Sequence, residues 1–394
     1  MDIISYNKPS FSSTDIKKIN NCLRNGSLTE GKYLNIYEDK IRHYSKCKYS
    51  IALNSATSAL HVSCLALGLK SGDYLWTSAN SFVASANCGL YCGAKIRLID
   101  IDSKTWNLDL KKLKEELKIA EKNKKLPKIL VNVLFGGLPN YPEDLKKLSK
   151  KYKFKIIDDA SHAFGSKYKG KFIGNCKYSD ITVFSTHPVK MFTTCEGGII
   201  NTNNTDLYEK AKSLRSHGII KNKKLFQNKE NVRFPWYFEQ KLLGFNYRLN
   251  EVESIIGINQ IKNISKYLSI RKKIATLYKK YLDKDIFLMQ EIPKLNVSSY
   301  HLFVVRVKNF DLNKSLALFN FLNEKNIKVQ KHYIPIYKHP YYKKIINQKE
   351  RKKFVETEKY YNECISLPIY AELKVSQVKM ISQLLNAKVK EILT

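Results

Sequence analysis

The stretch "DITVFSTHPVKMFTTCEGGIINT" (residues 180–202) joins two short apolar runs through a polar segment. The runs "DITVFS" and "GIINT" have the length and composition of buried strands. Lys190 lies between them, and the pair Gly197 and Gly198, where the second run begins, permits a tight return of the chain. Lys190 is one of sixty lysines. Most of the others are expected on solvated faces, so only its surroundings can mark it as reactive.

Around this stretch, the first 250 residues alternate apolar runs with helical patterns. The further runs that we interpret as strands are "YSIAL" (49–53), "YLWTS" (74–78), "KIRLIDI" (95–101), "KILVNVLF" (128–135) and "FKIIDDA" (154–160). Continuous apolar strands separated by helices are typical of a mostly parallel sheet with both faces covered. The sequence therefore predicts an α/β fold, and ligands in such folds bind at the carboxyl ends of the strands.

The length of 394 residues exceeds what one compact core usually organises, so two domains are expected. A helix capped by Ser12 or Ser13, with apolar Ile16, Ile19 and Leu23, is predicted to end near Gly26. We assign residues 1–260 to a large domain. A long helical region follows Asn250, and residues 261–394 then form a smaller α+β domain, with strands "HLFVVRV" (301–307) and "IKVQKHY" (327–333) around helical "LNKSLALFNFLNEKN" (312–326).

The formal net charge of +34 raises the possibility of attraction to nucleic acid, anionic lipid or an anionic substrate. The lysines are scattered in short runs such as "KKLKEELKIAEKNKK" (111–125), and arginine is scarce, with nine residues. A dedicated nucleic-acid surface needs clustering as well as net charge. The distribution therefore favours a generally lysine-rich surface.

Two further features concern location and metals. No hydrophobic run follows a basic start and no apolar stretch approaches membrane-spanning length, so we expect a cytoplasmic protein without membrane contact. The eight cysteines show no C-x-x-C pair and no zinc-type spacing. Reduced thiols are expected, and no metal site.

Polar residues follow the predicted strands where a phosphorylated aromatic aldehyde could be held. In "NSATSAL" (54–60), hydroxyls lie between a strand and a helix N-terminus, where amide groups and the helix dipole favour a phosphate. Thr57 and Ser58 can add hydroxyl donors. An ordinary helix cap explains the same residues.

Two other strand ends carry groups that suit a heteroaromatic ring. In "IIDDASHAFGS" (156–166), a buried carboxylate could keep a proton on a ring nitrogen, although a capping or turn aspartate is the alternative. Phe82 could stack on a flat ring or pack in the core. Ser185 ends its strand five residues before Lys190. A lysine enclosed there would have a lowered pKa and could form an imine with an aldehyde. The alternative is that Lys190 is an ordinary surface lysine, and its own segment does not distinguish the two.

These segments, in this order, resemble the DegT/DnrJ/EryC1/StrS family of sugar aminotransferases, which are pyridoxal-phosphate enzymes of fold type I. The resemblance covers essentially the whole chain. Besides the segments above it includes "LTEG" (28–31), "RSHG" (215–218), "GFNYRLNEVESIIG" (244–257), "HYIPIY" (332–337) and "ISLP" (365–368). It implies an aspartate-aminotransferase-like large domain with a mostly parallel sheet, a smaller C-terminal α+β domain, and pyridoxal 5'-phosphate as the cofactor.

The resemblance also implies roles for single residues. Lys190 would hold the cofactor as a Schiff base, and Asp159, three residues before His162, would pair with the pyridine nitrogen. His162 would lie near the phenolic oxygen, and Phe82 would stack on the ring. The residues implied around the phosphate are Ala56, Thr57, Ser58 and Ser185, with Asn246 from the neighbouring subunit. A homodimer with shared sites follows from this last contact.

Within the family, "LNSATSALH" (53–61), "FPWYFEQKLLGFNYRLNE" (234–251) and "KHYIPIYKHPYY" (331–342) resemble the branch that acts in pseudaminic acid biosynthesis. That branch aminates C4 of a UDP-linked 4-keto-6-deoxy-N-acetyl-L-hexosamine, with L-glutamate as the expected donor. The implied substrate contacts are Tyr6, Gly26, Ser27, Leu28, Thr29, Lys331, His332, Tyr333 and Ile334. The alternatives are a sister enzyme for a perosamine-type or 4-amino-arabinose-type sugar and, more remotely, a non-catalytic basic nucleic-acid-binding or regulatory protein.

Two positions beside Lys190 depart from the family pattern. Cys195 stands where relatives commonly have Gly or Ala, and Thr186 replaces an aromatic residue; both could alter ring packing or substrate fit. Some relatives that act as dehydratases have histidine in place of the cofactor lysine. Lys190 argues against that activity here.

Overall fold

Strands and helices alternate along most of the chain in the computed structural model, which describes residues 3–9 and 11–394. The strands are β1 (Tyr49–Leu53), β2 (Tyr74–Ser78), β3 (Lys95–Ile99), β4 (Ile129–Val133), β5 (Lys155–Asp159), β6 (Lys167–Tyr168), β7 (Lys171–Phe172), β8 (Ile181–Ser185), β9 (Gly198–Thr202), β10 (Ile219–Ile220), β11 (Glu239–Gln240), β12 (Phe287–Met289), β13 (Asn296–Val297), β14 (Phe303–Val307) and β15 (Cys364–Leu367).

The helices complete this alternation. They are α1 (Ser13–Asn25), α2 (Lys32–Ser45), α3 (Ala56–Ala66), α4 (Ala84–Tyr91), α5 (Leu110–Lys122), α6 (Pro142–Tyr152), α7 (Thr205–Arg215), α8 (Glu251–Gln260), α9 (Ile264–Tyr281), α10 (Leu312–Glu324), α11 (Pro340–Lys343), α12 (Gln348–Arg351), α13 (Val355–Glu363) and α14 (Val375–Leu393). Across the described ranges, none of these helices has both the length and the apolar character needed to cross a membrane.

Seven strands form the central sheet in the order β1-β9-β8-β5-β4-β2-β3. The strands β8, β5, β4, β2 and β3 are parallel neighbours. Strand β9 runs antiparallel to both β8 and β1 because the chain returns directly from β8. The prediction of a mostly parallel α/β sheet is confirmed, and β9 therefore starts at the edge where the parallel strands end.

Helices cover both faces of this sheet. Successive strand residues point to opposite faces. In β4, Ile129 and Val131 pack in the core shared with α3 and α7, whereas Leu130 packs with Leu113 of α5 and Leu145 of α6. This burial on both sides explains why the strands are apolar nearly throughout.

A second core lies in the C-terminal part of the chain. The antiparallel sheet β12-β14-β15 packs against α9, α10 and α14. Ile4, close to the start of the chain, belongs to this core, whereas Ile261 and Ile264 belong to the core around α2. The domain limits of 1–260 and 261–394 stay a prediction.

The predicted first helix is present, whereas the strand predicted over residues 327–333 is not. Helix α1 begins after Ser12, which forms a capping box with Asp15, and ends at Gly26 as expected. The strand expected over residues 327–333 is wrong, since this segment forms only isolated bridges, Ile327 with Ile4 and Gln330 with Ser366. The two bridges have different partners, one parallel and one antiparallel, so no continuous ladder forms.

Candidate active site

A cavity of about 320 Å³ lies at the carboxyl ends of β1, β5 and β8, where the sequence predicts a ligand. Of the residues predicted to be functional, ten line it: Tyr6, Ala56, Thr57, Phe82, Asp159, His162, Ser185, Lys190, His332 and Tyr333. This volume falls at the lower end of the range of about 300–1,000 Å³ common for small-molecule sites. Segments far apart in sequence therefore meet in one place.

Another cavity, of about 170 Å³, lies between β3 and α5. Four of the charged groups in its lining form ion pairs, Arg97 with Glu116 and Lys112 with Asp100. It contains none of the predicted site residues. The candidate active site is therefore the cavity around Lys190.

The N-terminus of α3 forms one end of the cavity. Ser55 caps the helix by accepting a hydrogen bond from the Ser58 amide at 3.0 Å. The amides of Ala56 and Thr57 belong to the first turn and have no acceptor within the helix. Gly198 packs so closely that a Cβ there would lie 2.2 Å from the Ser55 carbonyl oxygen. This end of the cavity is a suitable anion cradle.

The Ser58 hydroxyl, expected at the phosphate, is directed elsewhere. Its Oγ lies 2.7 Å from Asn54 Oδ1 and 3.1 Å from Ser55 Oγ. Ser58 does not line the cavity. The capping box uses this side chain, so its hydroxyl does not face the cavity here, and its assignment to the phosphate stays a prediction.

Asp159 ends β5 and is buried at the floor of the cavity. Its Oδ2 accepts a hydrogen bond from Ser85 Oγ at 2.6 Å, and its Oδ1 accepts one from Ser161 Oγ at 2.6 Å. The preceding Asp158 faces away, and its Oδ1 accepts a hydrogen bond from Asn132 at 2.9 Å. Burial raises the pKa of Asp158 to about 6. Strand alternation thus separates the two carboxyl groups, and only Asp159 reaches the cavity.

Lys190 lies in the loop between β8 and β9. Burial lowers the pKa of its amine to about 8, while the Asp159 carboxylate opposes that shift. A partly desolvated amine near neutrality suits attack on an aldehyde.

Three histidines and a tyrosine surround the opposite side of the cavity. His162 Nδ1 accepts a hydrogen bond from the Gly136 amide at 3.2 Å, and its Nε2 lies 2.8 Å from Tyr333 Oη. His332 Nδ1 lies 2.8 Å from Ser366 Oγ. Burial and the Lys190 charge lower the pKa of His332 to about 3. This side therefore presents neutral polar groups.

His301 is a cavity residue that the sequence reasoning missed. Its ring centroid lies 4.4 Å from that of His162, and its Nδ1 is buried without a partner. It is the first residue of the predicted strand "HLFVVRV", and a histidine there gave no signal that it would reach the cavity at the central sheet. Ser85 and Ser161, which donate hydrogen bonds to Asp159, were also missed, because an isolated serine does not indicate its partner from sequence alone.

Phe82 lines the cavity and is 57% exposed. A core phenylalanine would be buried, so this exposure favours the alternative in which the ring is available to stack on a ligand. Its ring centroid lies 6.0 Å from that of Tyr333. An aromatic wall therefore faces the open side of the site.

Several predicted contacts lie outside the cavity. Lys331 Nζ donates to the carbonyls of Tyr361, Asn362 and Cys364 at 2.8–3.0 Å and so caps the end of α13. The Lys331 amine is thus engaged within the chain, and its assignment to the substrate stays a prediction. The other predicted residues outside the cavity are Ile334, Asn246 and the segment Gly26, Ser27, Leu28 and Thr29, all of them exposed.

The two departures from the family pattern also lie outside the cavity lining. Thr186 is buried, and its Oγ1 lies 2.6 Å from Thr194 Oγ1. Cys195 is exposed and has a φ of +73°. This left-handed backbone conformation is one that glycine adopts more readily than cysteine.

The residues present fit pyridoxal phosphate. The cavity combines a lysine with a lowered pKa, a buried carboxylate and a helix N-terminus. These groups match, respectively, an aldehyde, a pyridine nitrogen and a phosphate. Gly198 packs against this helix N-terminus, where there is no room for a side chain. Together with the α/β fold, these features define a pyridoxal-phosphate-dependent enzyme.

Comparison with known proteins identifies the family. The model of the DegT/DnrJ/EryC1/StrS aminotransferase family matches residues 9–386. The chain belongs to this family, its cofactor is pyridoxal phosphate, and it is a sugar aminotransferase.

Individual relatives are similar over nearly their full length. A UDP-4-amino-4,6-dideoxy-N-acetyl-beta-L-altrosamine transaminase of Campylobacter jejuni is 36% identical over 97% of this chain and 96% of its own. The GDP-perosamine synthase of Escherichia coli O157:H7 is 27% identical over 98% of both chains. The structure of Helicobacter pylori PseC, an aminotransferase involved in the biosynthesis of pseudoaminic acid, superposes with a TM-score of 0.89 at 28% identity, covering 99% of this chain and 100% of that one.

Proposed function

We propose that this enzyme transfers an amino group from L-glutamate to C4 of a UDP-linked 4-keto-6-deoxy-N-acetyl-L-hexosamine, in pseudaminic acid biosynthesis. The observation that carries the chemistry is the meeting of Lys190 and Asp159 in one cavity. The substrate is supported by the likeness to the Campylobacter transaminase, whose name specifies the 4-amino sugar.

Bound pyridoxal phosphate supplies an aldehyde that condenses with amines and a ring that accepts the electron pair left when a neighbouring carbon loses its proton. Asp159 keeps the ring nitrogen protonated, since a carboxylate in a poorly solvated place stabilises a cationic partner. Ser85 and Ser161 hold both carboxylate oxygens in position.

Lys190 first binds the cofactor and then moves protons. Its neutral amine is the nucleophile that reacts with the aldehyde. With the cofactor and substrate bound, the freed amine would move a proton between the substrate carbon and the aldehyde carbon of the cofactor, C4′. A pKa of about 8 suits both tasks, because catalytic acids and bases work best near the ambient pH.

The phosphate end anchors the cofactor. The amides of Ala56 and Thr57, with the hydroxyls of Thr57 and Ser185, provide donors on one side of the cavity. A helix N-terminus adds a favourable dipole for an anion. Phe82 would stack on the ring from the open side.

A second copy of the chain completes the site in this proposal. Asn246 and residues 26–29 are exposed and lie outside the cavity of their own chain. Large apolar side chains are also exposed, including Leu23 at 56%, Trp236 at 74% and Leu243 at 84%. Exposed apolar surface of this kind marks protein–protein contacts, and homodimers are the commonest assemblies.

The substrate is tested by incubating the purified, cofactor-loaded enzyme with L-glutamate and a panel of nucleotide 4-keto sugars. We expect the UDP-linked L-sugar to be aminated at C4, as identified by mass spectrometry and NMR. Turnover of a GDP-linked or dTDP-linked sugar with failure on the UDP-linked one would refute the substrate assignment. The similarity to GDP-perosamine synthase makes a GDP-linked 4-keto sugar the most informative competitor.

A further inference from the structure

The hydrogen bonds of His162 determine which of its ring nitrogens carries the proton. The Gly136 amide donates to Nδ1 at 3.2 Å. A backbone amide can only donate, so Nδ1 must present its lone pair. Burial, with the charges of Lys190 and His332, holds the pKa of His162 well below its usual value. The ring is therefore neutral, with its proton on Nε2.

This tautomer fixes the direction of the next hydrogen bond. His162 Nε2 lies 2.8 Å from Tyr333 Oη. Because Nε2 carries the proton, the imidazole donates and the Tyr333 hydroxyl accepts. The proton of the hydroxyl cannot point back at His162, so it is available to another acceptor.

Tyr333 remains a donor in the cavity. Burial raises the pKa of its hydroxyl, and the charges of Asp159 and Tyr6 raise it further. The hydroxyl thus keeps its proton at working pH. Tyr333 lines the same cavity as Lys190.

The order of strands in the sheet indicates which part of the cofactor this donor faces. The phosphate cradle follows β1 and adjoins the ends of β8 and β9. Asp159 ends β5, the next strand in the sheet after β8. Gly136 follows β4, which lies on the other side of β5 from the phosphate cradle. A pyridoxal ring has two edges between its nitrogen and its aldehyde carbon. One carries the phosphate arm and the other the phenolic oxygen, so the side of His162 and Tyr333 is the side of the phenolic oxygen.

We propose that Tyr333 donates a hydrogen bond to the phenolic oxygen of pyridoxal phosphate, and that His162 is a positioning residue that acts through Tyr333. The sequence had suggested His162 beside this oxygen and Tyr333 at the sugar. The inference rests on the cofactor site of the proposed function, but it is independent of the sugar substrate.

The test is the pH titration of the visible absorption band of the cofactor-loaded enzyme without substrate. The titration is the loss of the proton from the nitrogen that joins Lys190 to the cofactor. While this nitrogen is protonated it donates to the phenolic oxygen, and after it has lost the proton the oxygen has no other donor. A hydrogen bond from Tyr333 therefore stabilises the deprotonated form more than the protonated form. Tyr333→Phe should therefore raise the midpoint of this titration by about one unit or more, as expected for a hydrogen bond to a charged group.

Two substitutions of His162 form a matched pair. Gln can place an amide donor near the position of Nε2, whereas Asn reaches only the position of Nδ1. We expect His162→Asn to raise the midpoint as Tyr333→Phe does, and His162→Gln to leave it close to that of the wild type.

The double variant separates direct from indirect action. If His162 acts through Tyr333, His162→Asn adds no shift in the Tyr333→Phe background. An unchanged midpoint in Tyr333→Phe, or a full additional shift from His162→Asn in that background, would overturn the proposal. Because no sugar is present, these outcomes are distinguishable from an error in the substrate assignment.

Discussion

At the scale of single residues, Lys190 differs from the other lysines by its surroundings. Burial lowers its pKa to about 8, with Asp159 opposing the shift. The pKa of an exposed lysine is about 10.4. Between these two values the Lys190 amine is largely neutral while an ordinary lysine is still charged.

The first prediction concerns the capture of pyridoxal phosphate by the apo protein. The neutral amine is the reactive form, so the rate of capture should rise with pH through about 8 and then level off. Stopped-flow absorbance over pH 6–10.5 measures this rate, with Lys190→Ala as the control that develops no band. A rate that continues to climb towards pH 10 would show that the amine is not desolvated.

The sequence identified the residues whose type the chemistry demands and missed those whose role depends on packing. Lys190, Asp159 and Phe82 meet in the cavity as expected. Ser58 and Lys331 do not, because a helix cap and the carbonyls after α13 engage their polar atoms. Such local hydrogen bonds cannot be distinguished from ligand contacts by residue type alone.

At the scale of elements, the strand ends bring the site together. The antiparallel β9 returns Gly198 to the N-terminus of α3, where its missing side chain lets two backbones meet. Apolar runs made the strands of the central sheet predictable. Residues 327–333 were wrongly predicted as a strand, because they form single bridges to two different segments and no continuous ladder.

The second prediction is that Gly198→Ala damages the phosphate cradle. The added Cβ would lie 2.2 Å from the Ser55 carbonyl oxygen and 2.5 Å from the Ala56 nitrogen, so this backbone must move. We expect affinity for pyridoxal phosphate to fall by roughly tenfold or more, as for loss of one good charged hydrogen bond. Equilibrium dialysis or fluorescence titration measures it.

The matched control is Gly72→Ala. Gly72 has a φ of +87° with open space around its Cβ position, so this change strains the backbone without a clash. It should lower stability by about 1 kcal/mol while leaving cofactor affinity unchanged. Equal affinity losses in the two variants would contradict the explanation by close approach.

At the scale of the whole molecule, the two cores meet around the cavity. Residues from the C-terminal part, His301, His332 and Tyr333, face Lys190 and Asp159 from the central sheet. Periodicity predicted both parts, but not how one contributes histidines to the other. Such contacts arise from tertiary packing between segments more than a hundred residues apart.

The third prediction tests shared sites in a homodimer. Lys190→Ala should be inactive and Asn246→Asp strongly impaired, since a carboxylate would repel the phosphate in the partner's site. After subunit exchange, an equal mixture should regain about a quarter of wild-type activity, because half of the dimers contain one intact site. Activity no greater than the mean of the two separate variants would contradict shared sites.

The most direct test of the central claim is to locate the cofactor among sixty lysines. The enzyme loaded with pyridoxal phosphate is reduced with borohydride, digested and analysed by tandem mass spectrometry, with Lys190→Ala treated in parallel. We predict a stoichiometric pyridoxyl group on Lys190 and none at any single site in the variant. A modification concentrated on another lysine, or scattered over the surface with Lys190 unmodified, would contradict the account.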